Sequence, residues 1–383
     1  MSFQGDKRAE MSRTAFKSKY LQIGKLATGN ILDISHVAAT FYNMDNPSAE
    51  ESYSIDQIEI GGKASTLINC ANEPTVTGAV KIIGSTFLPN VDMYLKVRYY
   101  GITPEYYFEQ FLEHDADAQK LINQLSAPNA DLQADLHRFF IDTKAISDGA
   151  FYNKIHALHL HCGSTAADHK WNAVNPVDTD AAFRGTFFGG MTHDKYGSKG
   201  NGTNGYMDTH LTPSLHLTEN STSILYATDS AYSEATFEIG VDGGSGLSNN
   251  PRLMLAVNYP FSGDKIITDQ YAFSTARINE LNTGDGTGVY ISARTQSNIF
   301  KVYAKGLQVG PTQTGAPLSG GATFADINDS ITVNAIKRLD NGSTYSHSTK
   351  RCQTSAVMDG VTDTEALEFS NILNTFNANR INH

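Results

Sequence analysis

Short apolar runs broken by glycine, asparagine and proline dominate the chain, with helical periodicity in only a few places. From about Ile31 to Tyr100 the runs are strand-like. Ser54-Ile-Asp-Gln-Ile-Glu-Ile60 alternates and then meets Gly61-Gly62, which predicts a strand ending in a turn. Val76–Ile83 and Val91–Tyr99 read as two further strands, separated near Pro89-Asn90. The texture changes at Thr103-Pro104-Glu105, where Thr103 can cap a helix with Pro104 at its first position. Tyr107, Phe108, Phe111 and Leu112, then Leu121, Ile122 and Leu125, recur at helical spacing. Pro128-Asn129 breaks that element, and Asn129 caps a second helix with Leu132, Leu136, Phe139 and Phe140 on one side, running to about Ile146.

Beyond Gly149 the pattern is again that of strands. They are predicted at Ile155–His161, Ala182–Phe188, Ser223–Thr228, Thr236–Val241, Arg252–Val257, Tyr271–Arg277, Gly288–Arg294, Asn298–Ala304 and Ser330–Ile336. Such spacing, with Gly- and Asn-rich turns between, marks a β-sandwich or jelly roll. Thr362-Asp-Thr-Glu365 forms a capping box before a short amphipathic helix carrying Ala366, Leu367, Phe369, Ile372, Leu373 and Phe376. The expected organisation is a β-rich domain over 1–102, two connecting helices over 103–149 and a sandwich over 150–383.

Composition narrows the class. The 383 residues exceed the usual single-core limit of about 250–300. Charged residues make up 18% of the chain, below the roughly 25% of ordinary soluble domains, which fits neutral polar turns. A net charge of −11 argues against nucleic-acid binding over the whole surface. No run of about 18 apolar residues predicts membrane insertion, and the first 25 residues lack the apolar region of a secretory signal. Cys70, Cys162 and Cys352 are widely spaced, with no CxxC pattern. Synthesis in a reducing cytoplasm is therefore expected. Against the acidic average, Lys7, Arg8, Arg13, Lys17 and Lys19 make the N-terminal segment basic. It reads either as a solvated arm or as an arm that docks onto an acidic neighbour in an assembly.

Three segments together resemble a known family. They are Val177-Asp-Thr-Asp-Ala-Ala-Phe-Arg184 with Phe188-Gly-Gly-Met-Thr-His193, then Asn201-Gly-Thr-Asn-Gly-Tyr-Met-Asp208 with Leu211-Thr-Pro-Ser214, then Asp359-Gly-Val-Thr-Asp-Thr-Glu-Ala366 with Phe376-Asn-Ala-Asn-Arg380. This set is similar to bacteriophage virion proteins with a C-terminal concanavalin A-like (laminin G-like) jelly roll, and the likeness covers about 130–383. It implies a mainly β chain that is assembled in the bacterial cytoplasm and then resides in the virion. It would be a head or tail fibre, decoration or adsorption component. Residues near 1–100, with the basic arm, would attach to other virion proteins. Homo-oligomers, trimers among them, are the implied state. The sandwich would contact host-surface polysaccharide or protein.

The alternative on the same fold is a carbohydrate-active enzyme, a glycoside hydrolase or lyase. A hydrolase needs two carboxylates about 5–5.5 or 6.5–9.5 Å apart. Glu234, Glu238 and Asp242 are spaced by four, which on a strand separates neighbours by about 13 Å, so no catalytic residues are assigned. A cell-surface adhesin is a third reading, opposed by the missing signal. Glycan contact needs an aromatic platform beside polar loop groups. The candidates are Trp171, the only tryptophan, with Tyr196, Tyr206 and the loop residue Asn204. Trp171 plugging the sandwich edge is the competing reading. Asp178, Asp180 and Arg184 are expected as a buried ion pair. No cofactor is required, although related sandwiches hold calcium in their loops, with Asp242 (beside Asn249) and Asp285 as candidates. His156, His159, His161 and Cys162 look metal-like, yet no third ligand of suitable spacing is visible.

Overall fold

A computed structural model describes residues 115–383, apart from 244–250, 272–276, 315–322 and 340–341, together with the backbone of nine strands between Leu21 and Gln110. The chain divides into two compact units, Met1–Glu113 and His114–His383. Lys7, Arg8, Arg13, Lys17 and Lys19, expected to attach the chain to a particle, lie outside the described residues.

The first unit holds a five-stranded sheet in the order Leu21–Lys25, Asp92–Tyr100, Thr103–Gln110, Val80–Ile83, Leu67–Ile68. Here the helix expected from Thr103 is corrected. Thr103–Gln110 is a strand, paired antiparallel with Asp92–Tyr100 from Tyr100↔Thr103 to Met93↔Gln110. Thr, Tyr and Phe suit a pleated ladder. Helical periodicity in Tyr107, Phe108 and Phe111 was thus outweighed by a partner strand. The helix begins only at Ala116, where Asp115 accepts from the amides of Asp117 at 2.8 Å and Ala118 at 3.0 Å.

The second unit is mainly β, built from antiparallel sheets with few helices. One six-stranded sheet runs Ile155–His159, Thr354–Met358, Thr222–Thr228, Gly288–Gln296, Ile299–Ala304, Leu307–Gln313. A second runs Thr186–Phe188, Tyr206–Asp208, Thr332–Val333, Ile239–Asp242, Arg252–Pro260, Asp264–Gln270, Arg277–Leu281. The two sheets share a core. Ile224, Tyr226, Tyr290, Val302 and Val357 of the first pack with Met207, Val241, Leu255, Ile266 and Val333 of the second.

The intervening side chains of the six-stranded sheet pack the other way. Leu225, Ala227, Ile291, Ala356 and Met358 join Leu136, Phe139 and Phe140 of the Ala130–Ala145 helix and Phe369, Leu373 and Phe376 of the Asp363–Ala378 helix. This explains why Thr222–Thr228 is buried at every position: a strand covered on both faces has no polar alternation to display. The Ala130–Ala145 helix, expected within the 103–149 connector, thus packs with the C-terminal helix against this sheet. Phe139→Ala would cost about 3–5 kcal/mol by emptying that seam.

The capping box is present, with Thr362 accepting from the Glu365 amide and Glu365 from the Thr362 amide. At the other end of this helix the fully buried Arg380 donates to the carbonyls of His161, Leu160 and Gln353, and its Nε donates to Asn377. The run Phe376-Asn-Ala-Asn-Arg380 is thus a latch between the helix and the sheet. Most of the strand expected at Tyr271–Arg277, residues 272–276, lies outside the described residues; the strands Asp264–Gln270 and Arg277–Leu281 stand on either side of it. Among the described residues no helix is long and apolar enough to cross a membrane.

Candidate functional site

The strands Thr186–Phe188 and Tyr206–Asp208 pair antiparallel, with Phe188 directly opposite Tyr206. Their rings stack at 4.9 Å between centroids and 15° between planes, a cross-strand pair at the end of the second sheet. Phe188 is 42% exposed and Tyr206 half-buried. Burial and, after it, the nearby Asp208 hold the Tyr206 hydroxyl above its ordinary pKa, so it is a neutral donor.

A polar loop stands beside these rings. Asn201 Oδ1 accepts from the amides of Thr203, Asn204 and Gly205 at 2.9–3.0 Å. Asn201 Nδ2 donates to Asn204 Oδ1 at 2.9 Å, and the Gly190 amide donates to the same oxygen at 3.2 Å. Gly189 has φ +63°, and a Cβ there would sit 2.1 Å from the Asn204 carbonyl oxygen. Only glycine allows the ring-bearing hairpin and the asparagine loop to touch this closely. The result is an exposed Phe188 stacked on a half-buried Tyr206, with the exposed side chain of Asn204 fixed beside them.

The other residues singled out from sequence fall elsewhere. Trp171 is corrected: it is 7% exposed and packs in the core between the sheet and the helices, beneath the Lys170 ammonium at 4.5 Å. Tyr196 belongs to a different, three-stranded sheet region, flanked by Lys195 and by Arg351, which Asp194 and Asp229 hold. Asp178 and Asp180 do pair with Arg184, at 2.7 and 2.9 Å, but on the surface and not buried.

The acids are held internally. Glu238 is fully buried, accepting from Lys350 Nζ at 3.0 Å, Thr236 Oγ1 at 3.0 Å and the Val257 amide at 2.7 Å. Burial raises its pKa, opposed by the Lys350 charge. Glu234 accepts from Ser348 Oγ and from the amide and hydroxyl of Thr349. Asp242 accepts from Tyr345 Oη at 2.6 Å and faces Arg252. Asp285 takes the Thr287 amide, the Thr287 hydroxyl and Lys305 Nζ on one oxygen, and these hold its pKa low. Both calcium candidates thus already hold a cationic side chain, and Asn249 lies outside the described residues.

Among the histidines, His156 pairs with Asp359 at 3.1 Å, and His159 Nε2 donates to the Phe183 carbonyl at 3.0 Å. His161 is instead joined by His169 and His193, which the sequence places 8 and 32 positions later and whose proximity no local spacing reveals. Among the described residues, no group of three or more His, Cys, Asp or Glu side chains is placed to hold a metal ion.

No protein-family model and no curated protein matches the chain. A solved structure similar to it is the crystal structure of an HCR/D mutant, at 11% identity and a TM-score of 0.28, over 54% of this chain and 48% of that one. The match thus spans about half the length of the solved chain, and at that TM-score it carries no argument about fold or function.

Proposed function

We propose that this chain is a bacteriophage virion structural protein whose C-terminal unit is a concanavalin A-like jelly roll that contacts host-surface glycan. The observation that carries the contact is the stacked Phe188–Tyr206 pair beside the Asn201–Asn204 loop. A sugar ring offers an apolar C–H face and a rim of hydroxyls. An exposed Phe188 ring takes the first, while the Asn204 amide and the Tyr206 hydroxyl take the second. The virion assignment is supported by the three sequence segments. Two of them form this face, and the third forms the capping box and the Arg380 latch.

A binding role is favoured over the alternative carbohydrate-active enzyme by the fate of the acids. Glu234, Glu238 and Asp242 each hold internal donors, so none of them stands ready to protonate a glycosidic oxygen. Attachment of the first unit to other virion proteins, and homo-oligomerisation as a trimer, belong to the same proposal. A glycan array probed with the full-length chain tests the contact: retention on at least one bacterial surface polysaccharide is expected, and no retention on any rejects it. Reducing-end release would transfer the reading to the enzyme. Mass spectrometry of purified particles tests the virion assignment, which fails if the chain is absent from them.

A further inference from the structure

Three imidazoles from separate elements meet beside a buried cation. His161 follows the Ile155–His159 strand, His169 ends the Ala166–His169 helical turn, and His193 lies in the Thr192–Asp194 strand. The ring centroids are 5.5 Å apart for His161–His169 and 5.0 Å for His169–His193. His169 Nε2 donates to the Gly163 carbonyl at 3.2 Å, so in the neutral ring Nδ1 is left to accept. The donor is His193 Nδ1, 3.0 Å away. A single N–H···N bond therefore ties the helical turn to the strand. One added proton, taken by the half-exposed His193, leaves that bond in place. A second, on His169 Nδ1, sets N–H against N–H and breaks it.

We infer that the His169–His193 contact is an acid-opened clasp, whose double protonation parts the Ala166–His169 turn from the 192–199 hairpin while the two large sheets stay folded. The neighbours offer an imidazolium no free carboxylate. Asp168 is taken up by the Ser126 amide and the Thr165 hydroxyl, both at 2.7 Å. Asp194, next to His193 on a strand, points to the opposite face and holds Arg351 and the Tyr196 amide. Ser198, opposite His193 in the strand pair, and Phe187, edge-on to His193 at 4.5 Å, bring no charge. From the C-terminal end comes a cation: the fully buried Arg380, which donates to the carbonyls of Leu160, His161 and Gln353. The remaining neighbours, His159 and the thiols of Cys162 and Cys352, are kept neutral by burial.

His161 adds to the tension. It is buried with both ring nitrogens unpartnered among the described residues, and its backbone is left-handed at φ +45°. Both costs are relieved only when the cluster opens to water. Burial holds His169 down to about 4, with the charges of His193 and Arg380 acting the same way, and burial lowers His193 as well. Once opened, the rings regain the ordinary value of about 6.5. Opening thus takes up protons between these values. It is suppressed at pH 7 and favoured as the pH falls toward 4. Because two rings charge together, the response is steeper than that of one group.

Amide hydrogen exchange of the full-length chain, corrected for the pH dependence of the intrinsic rate, tests the clasp. From pH 7 to pH 5, protection of the 192–199 amides is expected to fall at least tenfold. Protection in the strands Thr222–Thr228 and Gly288–Gln296 should hold. His193→Phe keeps a ring but has nothing to protonate, and its 192–199 protection should be the same at both pH values. His169→Gln should lose the acid response likewise, whereas His156→Ala, at the ring paired with Asp359, should keep it. Wild-type protection unchanged by acid, or lost equally in the two large sheets, would overturn the inference. So would a full acid response in His193→Phe and His169→Gln, or its loss in His156→Ala.

Discussion

The row Glu234, Glu238 and Asp242 and the edge Phe188, Tyr206 and Asn204 lie in the same unit, and each draws attention in the sequence. They differ in what is left over. Every acid in the row is paired: Glu238 with Lys350, Glu234 with Thr349, Asp242 with Tyr345 and Arg252. At the edge, the polar groups are used to set the shape of the loop, while a ring face and an amide stay exposed. Chemically reactive residue types therefore mark the structural part here, and the neutral, aromatic segment is the part that the proposed reading assigns to a ligand. What separates scaffold from site is unspent hydrogen-bonding and stacking capacity.

The largest way to break the comparison is inside the row. Lys350→Met leaves the Glu238 carboxyl buried without its cation and should cost about 3–5 kcal/mol, read as a lowered urea midpoint. Replacing both members, Glu238→Gln with Lys350→Met, should recover much of that loss, because no isolated charge remains. A single variant with wild-type stability would show that the row is not a closed structural unit.

Acid should act next most strongly. Burial holds His159 and His169 down to about 4 from an ordinary value of about 6.5. Between these values the unfolded chain binds more protons than the folded one. Their contribution is therefore complete above about pH 6.5 and is lost as the pH falls toward 4, at about 3 kcal/mol for each ring. A denaturation midpoint flat from pH 7 to pH 4.5 would contradict the buried, neutral state of both rings.

Smaller effects belong to the surface. Tyr206→Ala and Phe188→Ala remove one stacked pair at a sheet end and should cost about 0.5–1.5 kcal/mol each, far less than Lys350→Met. Lys305→Ala breaks the exposed pair with Asp285 and should change stability by less than about 1 kcal/mol. A larger change would mean that the Gly284-Asp285-Gly286 turn does more than close a hairpin.

Much of this architecture was legible because local chemistry and fold agree. Thr362 and Glu365 announce the last helix, Asn129 caps the second, and the apolar runs at Gly288–Arg294 and Asn298–Ala304 are strands. The failures share one cause, long-range partners. Thr103–Gln110 carries helix-like spacing but takes a strand beside it. Asp264–Gln270 buries Thr268, Asp269 and Gln270, which pay for burial through Met254, Arg277 and Ser292, so its apolar signal is weak. Trp171 looked like a platform because rare aromatics in polar company do, yet the helices cover it. Tyr206 and Asn204, singled out from their loop context, stand together beside Phe188, which as an ordinary strand residue drew no such attention. His169 and His193 join His161 only through the tertiary fold.

The most direct test of the account compares glycan binding by the full-length wild type with that of the Phe188→Ala/Tyr206→Ala double variant. The polysaccharide is the one retained in the array, and both proteins are checked for equal cooperativity in urea. The account predicts at least a tenfold loss of affinity with the fold intact. Binding undiminished in the double variant would place the ligand elsewhere and contradict it.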